Sequence, residues 1–206
     1  MEQFNFRYVK TSVFIPVISL VALGIFALSQ YLKLHFGLSF SIFSVIAILF
    51  MMINKYLWNK MPFRWMYDVP DFTGRYEGSL DYIFRGENGE EVTGTLEHTK
   101  VVKQNGSSII INSITRRDGV ITSKSTSQSA SIIKRPDGYY DLVYHYMNDG
   151  DKIKGYPPHY GTEVLNLIEQ NGKKFLTGGY YTQRTPYQTA GKINLTFKNK
   201  KTHLEK

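Results

Sequence analysis

A chain of 206 residues with 25 Lys and Arg against 17 Asp and Glu has room for one globular domain and a smaller appendage. It has no cysteine, which excludes disulfide bonds, thiolate catalysis and thiolate metal sites. The positive excess is split evenly, since residues 1–69 carry six basic and two acidic residues and residues 70–206 carry nineteen and fifteen. An excess of four on the longer part is too small to predict binding to DNA or RNA, although it suits a small anionic ligand.

Two apolar stretches near the N-terminus each have the length of a membrane span. Residues 11–32 contain no charged residue, and residues 34–54 contain only His35 as a titratable group. Each stretch is long enough to cross a hydrocarbon core of about 30 Å as a helix, and the short connection makes the two helices antiparallel. We therefore predict a membrane α-helical hairpin of two transmembrane helices over residues 1–54. The alternative, two buried core helices, does not explain why neither stretch has a polar face.

The charges that flank the two stretches predict their orientation. Five basic residues lie outside the ends of the hairpin, and only Lys33 lies in the connection. By the positive-inside rule, both termini and the following domain are cytoplasmic. Neither stretch has Asp, Glu, Lys or Arg near its middle, which argues against an ion-coupled transporter.

The next segment, residues 55–70, mixes aromatic and basic side chains. It contains both tryptophans, Trp58 and Trp65, together with Lys60 and Arg64. Amphipathic rings next to cations are typical of the membrane–water interface. We predict an interfacial linker here, with an ordinary amphipathic linker helix as the alternative.

From residue 71 to residue 206 the chain is divided by turn signals. Six Asn-Gly or Asp-Gly pairs and a seventh break at residues 183–191 separate eight segments rich in β-branched and aromatic residues. The segments are 72–86, 90–104, 107–117, 120–136, 139–147, 158–170, 173–182 and 190–199. We predict an all-β domain that forms an eight-stranded antiparallel up-and-down barrel, because short turns favour a meander and closure removes its edges.

The fourth segment indicates that the barrel is not packed solid. All eight residues from 122 to 129 are Ser, Thr, Lys or Gln, so both faces are polar. Buried hydroxyl groups without partners are costly, so we predict a cavity that holds a polar ligand. The alternative is a strand that is exposed on one side and contains a bulge.

The chemistry of the side chains favours binding over catalysis. The five histidines are isolated, and the sequence has no nucleophile elbow, phosphate loop or dinucleotide fingerprint. We predict no enzymatic activity, no catalytic residue and no metal site. A nucleotide suits the composition, because bases stack on tyrosines and phosphates bind cations and hydroxyl groups. Strand parity and this chemistry give the candidate ligand-binding residues Tyr76, Tyr82, Ser125, Ser127, Tyr144, Tyr146, His159, Tyr180, Tyr181 and Arg184.

Several motifs in this order resemble a known family. Gly74-x-Tyr76-x-Gly78 begins the first strand, and Leu142-x-Tyr144-x-Tyr146 and Gly178-Gly-Tyr-Tyr-Thr182 follow. With two spans before a barrel, the chain resembles the two-transmembrane, β-strand-rich (lipocalin-like barrel) effectors of bacterial CBASS-type cyclic-oligonucleotide antiphage signalling. One departure is Tyr76, at a position that often holds tryptophan.

The resemblance implies a function. In that family the barrel recognises a cyclic dinucleotide, and the helices form homo-oligomers that disrupt the inner membrane and kill the infected cell. We expect the same here, with a cyclic dinucleotide made by a partner synthase as ligand, the lipid bilayer as partner and no cofactor. The alternatives are a related effector that the nucleotide holds inactive, a membrane-tethered lipid-binding barrel and a scaffold that binds no small molecule.

Overall fold

The computed structural model describes residues 7–36, 41–151, 155–184 and 188–204. The chain forms two compact units. One comprises Met1–Val69 together with the short stretch Asn105–Ser108, and the other comprises Pro70–Gln104 and Ile109–Lys206. The first unit is mainly helical and the second is a β-barrel.

The helical unit begins with α1, Thr11–Phe36, and α2, Ile42–Met52. Helix α1 has 26 residues and contains an 18-residue stretch with a mean hydropathy of 2.4, which makes it long and apolar enough to cross a membrane. It continues through Lys33 to Phe36, so residues 34–36 belong to this helix and not to the second predicted span. Lysine is a good helix former and does not end the helix, although its charge marks the end of the apolar stretch.

Helix α2 is shorter than the predicted second span. It continues as a π-helical turn, Ile53–Leu57, which gives an apolar helix over Ile42–Leu57. Ser41 caps its N-terminus by accepting a hydrogen bond from the Ser44 amide. Among the residues described, α1 alone meets the length expected of a span. The two-span hairpin therefore remains a prediction for its second helix, and residues 37–40, which begin near the start of the predicted second span, lie outside the described residues.

The segment after α2 packs against, and hydrogen-bonds to, other parts of the helical unit. Trp58 is 2% exposed and packs edge-on against Tyr67, with ring centroids 6.1 Å apart. The Asn54 side chain accepts a hydrogen bond from Ser107 Oγ at 2.7 Å. Trp65, in contrast, is 48% exposed. The two tryptophans thus differ, because Trp58 packs inside the protein while Trp65 keeps the exposure that an interfacial role requires.

The barrel confirms the predicted strand count and topology. Eight antiparallel strands pair in chain order and close, and every predicted segment agrees with a strand to within two residues at each end. The strands are β1 (Gly74–Arg85), β2 (Glu91–Gln104), β3 (Ile109–Arg117), β4 (Val120–Lys134), β5 (Tyr140–Asn148), β6 (His159–Gln170), β7 (Lys173–Thr182) and β8 (Ala190–Asn199). The Asp118-Gly119 and Asn171-Gly172 turns have positive φ at both residues, as tight two-residue hairpins require.

Strand β4 combines the two alternatives that its sequence left open. It contains a bulge between Ser127 and Ser129 opposite β5. Thr122 and Ser123 are nevertheless buried, and both line a cavity inside the barrel. The polar strand therefore has a bulge and also faces an internal cavity.

The apolar core fills the end of the barrel at which β1 begins. Phe72, at this end, is 0% exposed; its amide donates to Gln104 Oε1 at 2.9 Å and its carbonyl accepts from Tyr76 Oη at 2.9 Å. The side chains packed behind it are at most 1% exposed: Tyr76, Val102, Ile111, Leu142, Leu165, Leu176 and Leu195. The barrel is therefore solid at one end, and its cavity lies toward the other.

Candidate functional site

The cavity opens at the end of the barrel formed by the β3–β4, β5–β6 and β7–β8 connections. The centre of a water molecule can move within a volume of about 120 Å³ inside the cavity. The total empty volume, with the open mouth included, is about 860 Å³. Ligand sites commonly span about 300–1,000 Å³. A ligand larger than a few waters therefore has to remain partly exposed at the mouth.

Tyrosines that face glycines form much of the wall. Tyr82 is paired with Gly94 on β2, and Tyr146 is paired with Gly161 on β6. A Cβ atom at either glycine would overlap the tyrosine ring opposite it. Glycine at these positions lets each ring lie close over the neighbouring strand. The pairs thus set the positions of aromatic faces on which a base can stack.

Arginine side chains place positive charge at the mouth of the cavity. The guanidinium of Arg184 lies over the ring of Tyr156, 3.4 Å from its centroid. Arg117 also lines the cavity, and its buried Nε atom makes no hydrogen bond within the described part of the chain. Buried donors are normally paired, so Arg117 is a cation of the cavity wall that retains an unused donor.

His159 is the histidine at the mouth. Its Nδ1 donates to the Pro157 carbonyl at 3.2 Å. Burial lowers the pKa of His159, an effect that this hydrogen bond opposes and that the charge of Arg184 reinforces. The ring is therefore neutral at physiological pH, and its Nε2 is an acceptor.

A buried ion pair forms the floor of the cavity. Lys100 is 0% exposed and Glu163 is 3% exposed, and Lys100 Nζ lies 2.8 Å from Glu163 Oε2 and 3.1 Å from Oε1. Lys100 also reaches His98 Nε2 at 2.8 Å and Ser113 Oγ at 3.2 Å. Tyr144 donates its hydroxyl to Glu163 Oε2 at 2.5 Å. The three ammonium protons therefore have three different partners, as a buried charge requires.

This arrangement determines the protonation of His98. Because Lys100 has only donors, His98 Nε2 accepts, and Nδ1 carries the proton and donates to Thr115 Oγ1 at 3.0 Å. Burial, and then the neighbouring Lys100 charge, hold the pKa of His98 well below its ordinary value. Burial also lowers the pKa of Lys100, while the charge and hydrogen bond of Glu163 oppose that shift.

The tyrosine hydroxyls near the floor remain protonated. Burial is the largest cause that raises the pKa of Tyr144, Tyr146 and Tyr180, and the negative charge of Glu163 adds to it in each case. These groups are neutral and can donate hydrogen bonds at any physiological pH. The described residues include no group of three or more His, Asp or Glu side chains that could hold a metal ion.

Six of the ten candidate residues line this cavity. They are Tyr82, Ser125, Tyr146, His159, Tyr180 and Arg184. Their contact with a ligand remains a prediction, but the barrel brings them together around one space.

The other four candidates lie elsewhere. Tyr76 belongs to the packed end, and Tyr144 lies beneath the floor, where it binds Glu163. Ser127 Oγ accepts a hydrogen bond from the Ile111 amide. Tyr181 is 53% exposed and neighbours Tyr180, so strand alternation directs it to the outer face.

Sequence analysis missed Lys100, Glu163, His98 and Arg117. A signal was present in β2, where His98 and Lys100 have the same parity as the inward-facing Leu96 and Val102. A charged residue at an inward position is uncommon and requires a partner. Its partner, Glu163, is 63 residues away in sequence and meets it only when the barrel closes.

Comparison with known protein families agrees with this geometry. Residues 67–197 match one family, described as Cap15, cyclic dinucleotide receptor domain. No curated protein sequence matches the chain significantly. The family match covers more than half of the chain and includes most of the barrel, which confirms the resemblance to CBASS-type barrel effectors. The chain therefore belongs to the family of the Cap15 cyclic dinucleotide receptor domain.

Proposed function

We propose that this protein is a membrane-bound antiphage effector whose barrel binds a cyclic dinucleotide in the open cavity. Binding promotes association of the helical segments, and the resulting oligomer disrupts the bacterial inner membrane and kills the infected cell. The protein acts as a receptor and not as an enzyme, and a partner synthase supplies the nucleotide. The barrel and both termini are cytoplasmic in this proposal.

The observation that carries the proposal is the composition of the cavity. Aromatic faces at Tyr82, Tyr146 and Tyr180 suit the bases, and Arg117 and Arg184 suit the phosphates. The family match supports the ligand class. A lipid carrier would need a mainly apolar wall, whereas this wall includes charged residues and hydroxyl groups. A scaffold with a packed barrel does not account for an open cavity.

The length and apolar composition of α1 support the membrane part of the proposal. The helix has 26 residues and no acidic side chain, and it precedes the receptor domain in the chain. A receptor that is covalently joined to such a helix can convert ligand binding into a change within the bilayer. Ligand-driven activation and ligand-driven restraint use the same site, so the test includes both directions.

The test uses the full chain in lipid nanodiscs and a panel of cyclic dinucleotides. A ligand at a hundred times its dissociation constant adds about 2.7 kcal/mol to the stability of the folded state, which raises the melting temperature of the barrel. Tyr180→Leu should weaken binding at least tenfold, because it removes a cavity ring. The matched control Tyr181→Leu changes the outward-facing neighbour and should bind as the wild type does.

Dye release from liposomes tests the membrane step. We expect release when the bound nucleotide is added to liposomes that contain the full chain. Release only in the absence of nucleotide would instead support restraint by the ligand. No release under either condition would refute membrane damage, and no melting shift with any nucleotide would refute the receptor function.

A further inference from the structure

The charged groups at the floor of the cavity differ from those at its mouth. Glu163 lies at the floor, and His159 lies at the mouth on the same strand. Four residues of strand place them about 13 Å apart along β6. Arg184 and Arg117 stand on the mouth side. An acceptor at the bottom, with two arginines and one aspartate, Asp151, on the mouth side, gives the cavity a direction.

The Glu163 carboxylate retains capacity for a ligand. Lys100 contacts both oxygens, and Tyr144 donates to Oε2. A carboxylate has about four lone-pair directions, and these contacts use three of them. The remaining direction belongs to Oε1. Glu163 is also one of the residues that line the cavity a ligand would occupy.

Lys100 and Tyr144 also hold the carboxylate in place. Both partners are buried, at 0% and 3% exposure, and both belong to barrel strands. A fixed acceptor discriminates better than a mobile one, because it cannot turn away from a mismatched group. The arrangement is therefore suited to recognition of one defined donor.

We propose that Glu163 selects the nucleobase, by accepting an N–H bond from an exocyclic amino group through Oε1. The inference rests on the proposed function and specifies how that site reads its ligand. The base enters first and stacks on the wall tyrosines, while the phosphodiester groups stay beside Arg184 and Arg117. The opposite orientation would bring a phosphate against the Glu163 carboxylate, and two groups that only accept hydrogen bonds cannot pair.

The direction of the selectivity follows from the acceptor. An amino group donates to a carboxylate, whereas a keto oxygen at the same place has no proton and is repelled by the charge. A site that is built to hydrogen-bond one group rejects the analogue that lacks it, because its own polar atom then stays unpaired. Bases with amino groups should bind at least tenfold more tightly than their keto counterparts.

The experiment measures ratios of dissociation constants with the full chain in nanodiscs. The probes are cyclic di-AMP, cyclic di-GMP and cyclic di-IMP; hypoxanthine lacks the amino group of guanine and replaces that of adenine with a keto group. Glu163→Gln is the first variant, because its amide can both accept and donate. We expect the preference for the better amino-bearing probe over cyclic di-IMP to fall at least tenfold.

A second variant keeps the test decisive if Glu163→Gln does not fold. Glu163→Gln leaves Lys100 buried without a counter-charge, so Lys100→Met combined with Glu163→Gln removes both charges together. A purely structural role would weaken every probe equally and leave the ratio unchanged, because reduced folding scales all affinities alike. Glu97→Gln, on the exposed face of β2, is the matched surface control and should keep the wild-type ratio.

The outcomes separate this inference from the proposed function. A lower ratio in either folded variant supports base selection by Glu163. An unchanged ratio with measurable binding overturns it and leaves the receptor function standing. Absence of binding to every cyclic dinucleotide by the wild-type chain overturns both.

Discussion

Removal of the Lys100 ammonium tests how much the buried ion pair contributes to the stability of the barrel. Lys100→Met keeps a long side chain but leaves the Glu163 carboxylate with Tyr144 as its remaining partner in the cluster. Lys100 is 0% exposed and Glu163 is 3% exposed, so the contact that is lost lies inside the protein. Loss of one partner from a buried pair costs about 3–5 kcal/mol.

The assay is thermal unfolding of the full chain in detergent micelles, followed by the β-sheet signal in circular dichroism. For a protein of this size, 1 kcal/mol corresponds to about 2–4 °C, so the melting temperature should fall by about 6–20 °C. The double variant Lys100→Met with Glu163→Gln should regain most of this loss, since neutral replacement of a buried pair is often nearly neutral.

Two results would contradict the reasoning. A single variant that melts within about 2 °C of the wild type would mean that water reaches the pair and screens it. A double variant that is as unstable as the single one would mean that packing and the contacts to His98 and Ser113 matter more than the charges.

Two further predictions follow from the cavity. Gly161→Ala should weaken nucleotide binding about tenfold, since the new Cβ displaces the Tyr146 ring; Gly179→Ala, whose Cβ would meet its nearest neighbour at 3.6 Å, should bind normally, and equal loss in both would refute the positioning role. For pH, burial holds the folded-state pKa of His98 well below the ordinary 6.5. The unfolded chain therefore binds the extra proton first, and stability falls as pH drops below about 6.5, by up to about 2 kcal/mol at pH 5. His98→Gln should flatten this slope in urea unfolding, and an unchanged slope would assign it to other groups.

Local chemistry made the barrel predictable. Asx-Gly pairs adopt the positive φ values of tight turns wherever they occur, as Asp118-Gly119 and Asn171-Gly172 do. The strands between them alternate in sequence, and alternation depends only on neighbouring residues. Strand number, order and approximate bounds therefore followed from the sequence. The sequence also predicted part of the cavity wall, because strand alternation directs Tyr82, Tyr146 and Tyr180 inward.

Helix ends were less predictable, because charge and helix formation are different properties. Lys33 ends the apolar stretch but continues α1, so a boundary read from charge came four residues early. Exposure of the linker aromatics also depended on tertiary contacts. Trp58 is buried against Tyr67. Trp65 lies in the same aromatic and basic sequence segment but stays exposed.

The floor of the cavity required the closed barrel. Lys100 on β2 and Glu163 on β6 meet across the interior. The parity of β2 indicates that Lys100 needs a partner, but it does not indicate which residue is that partner. Tyr144 was predicted to face the ligand, but its hydroxyl is used by Glu163. By itself the sequence determined the turns, the alternation and hence the barrel, since these are short-range properties. Only the tertiary structure decided which inward side chains meet, because that depends on register and closure over many residues.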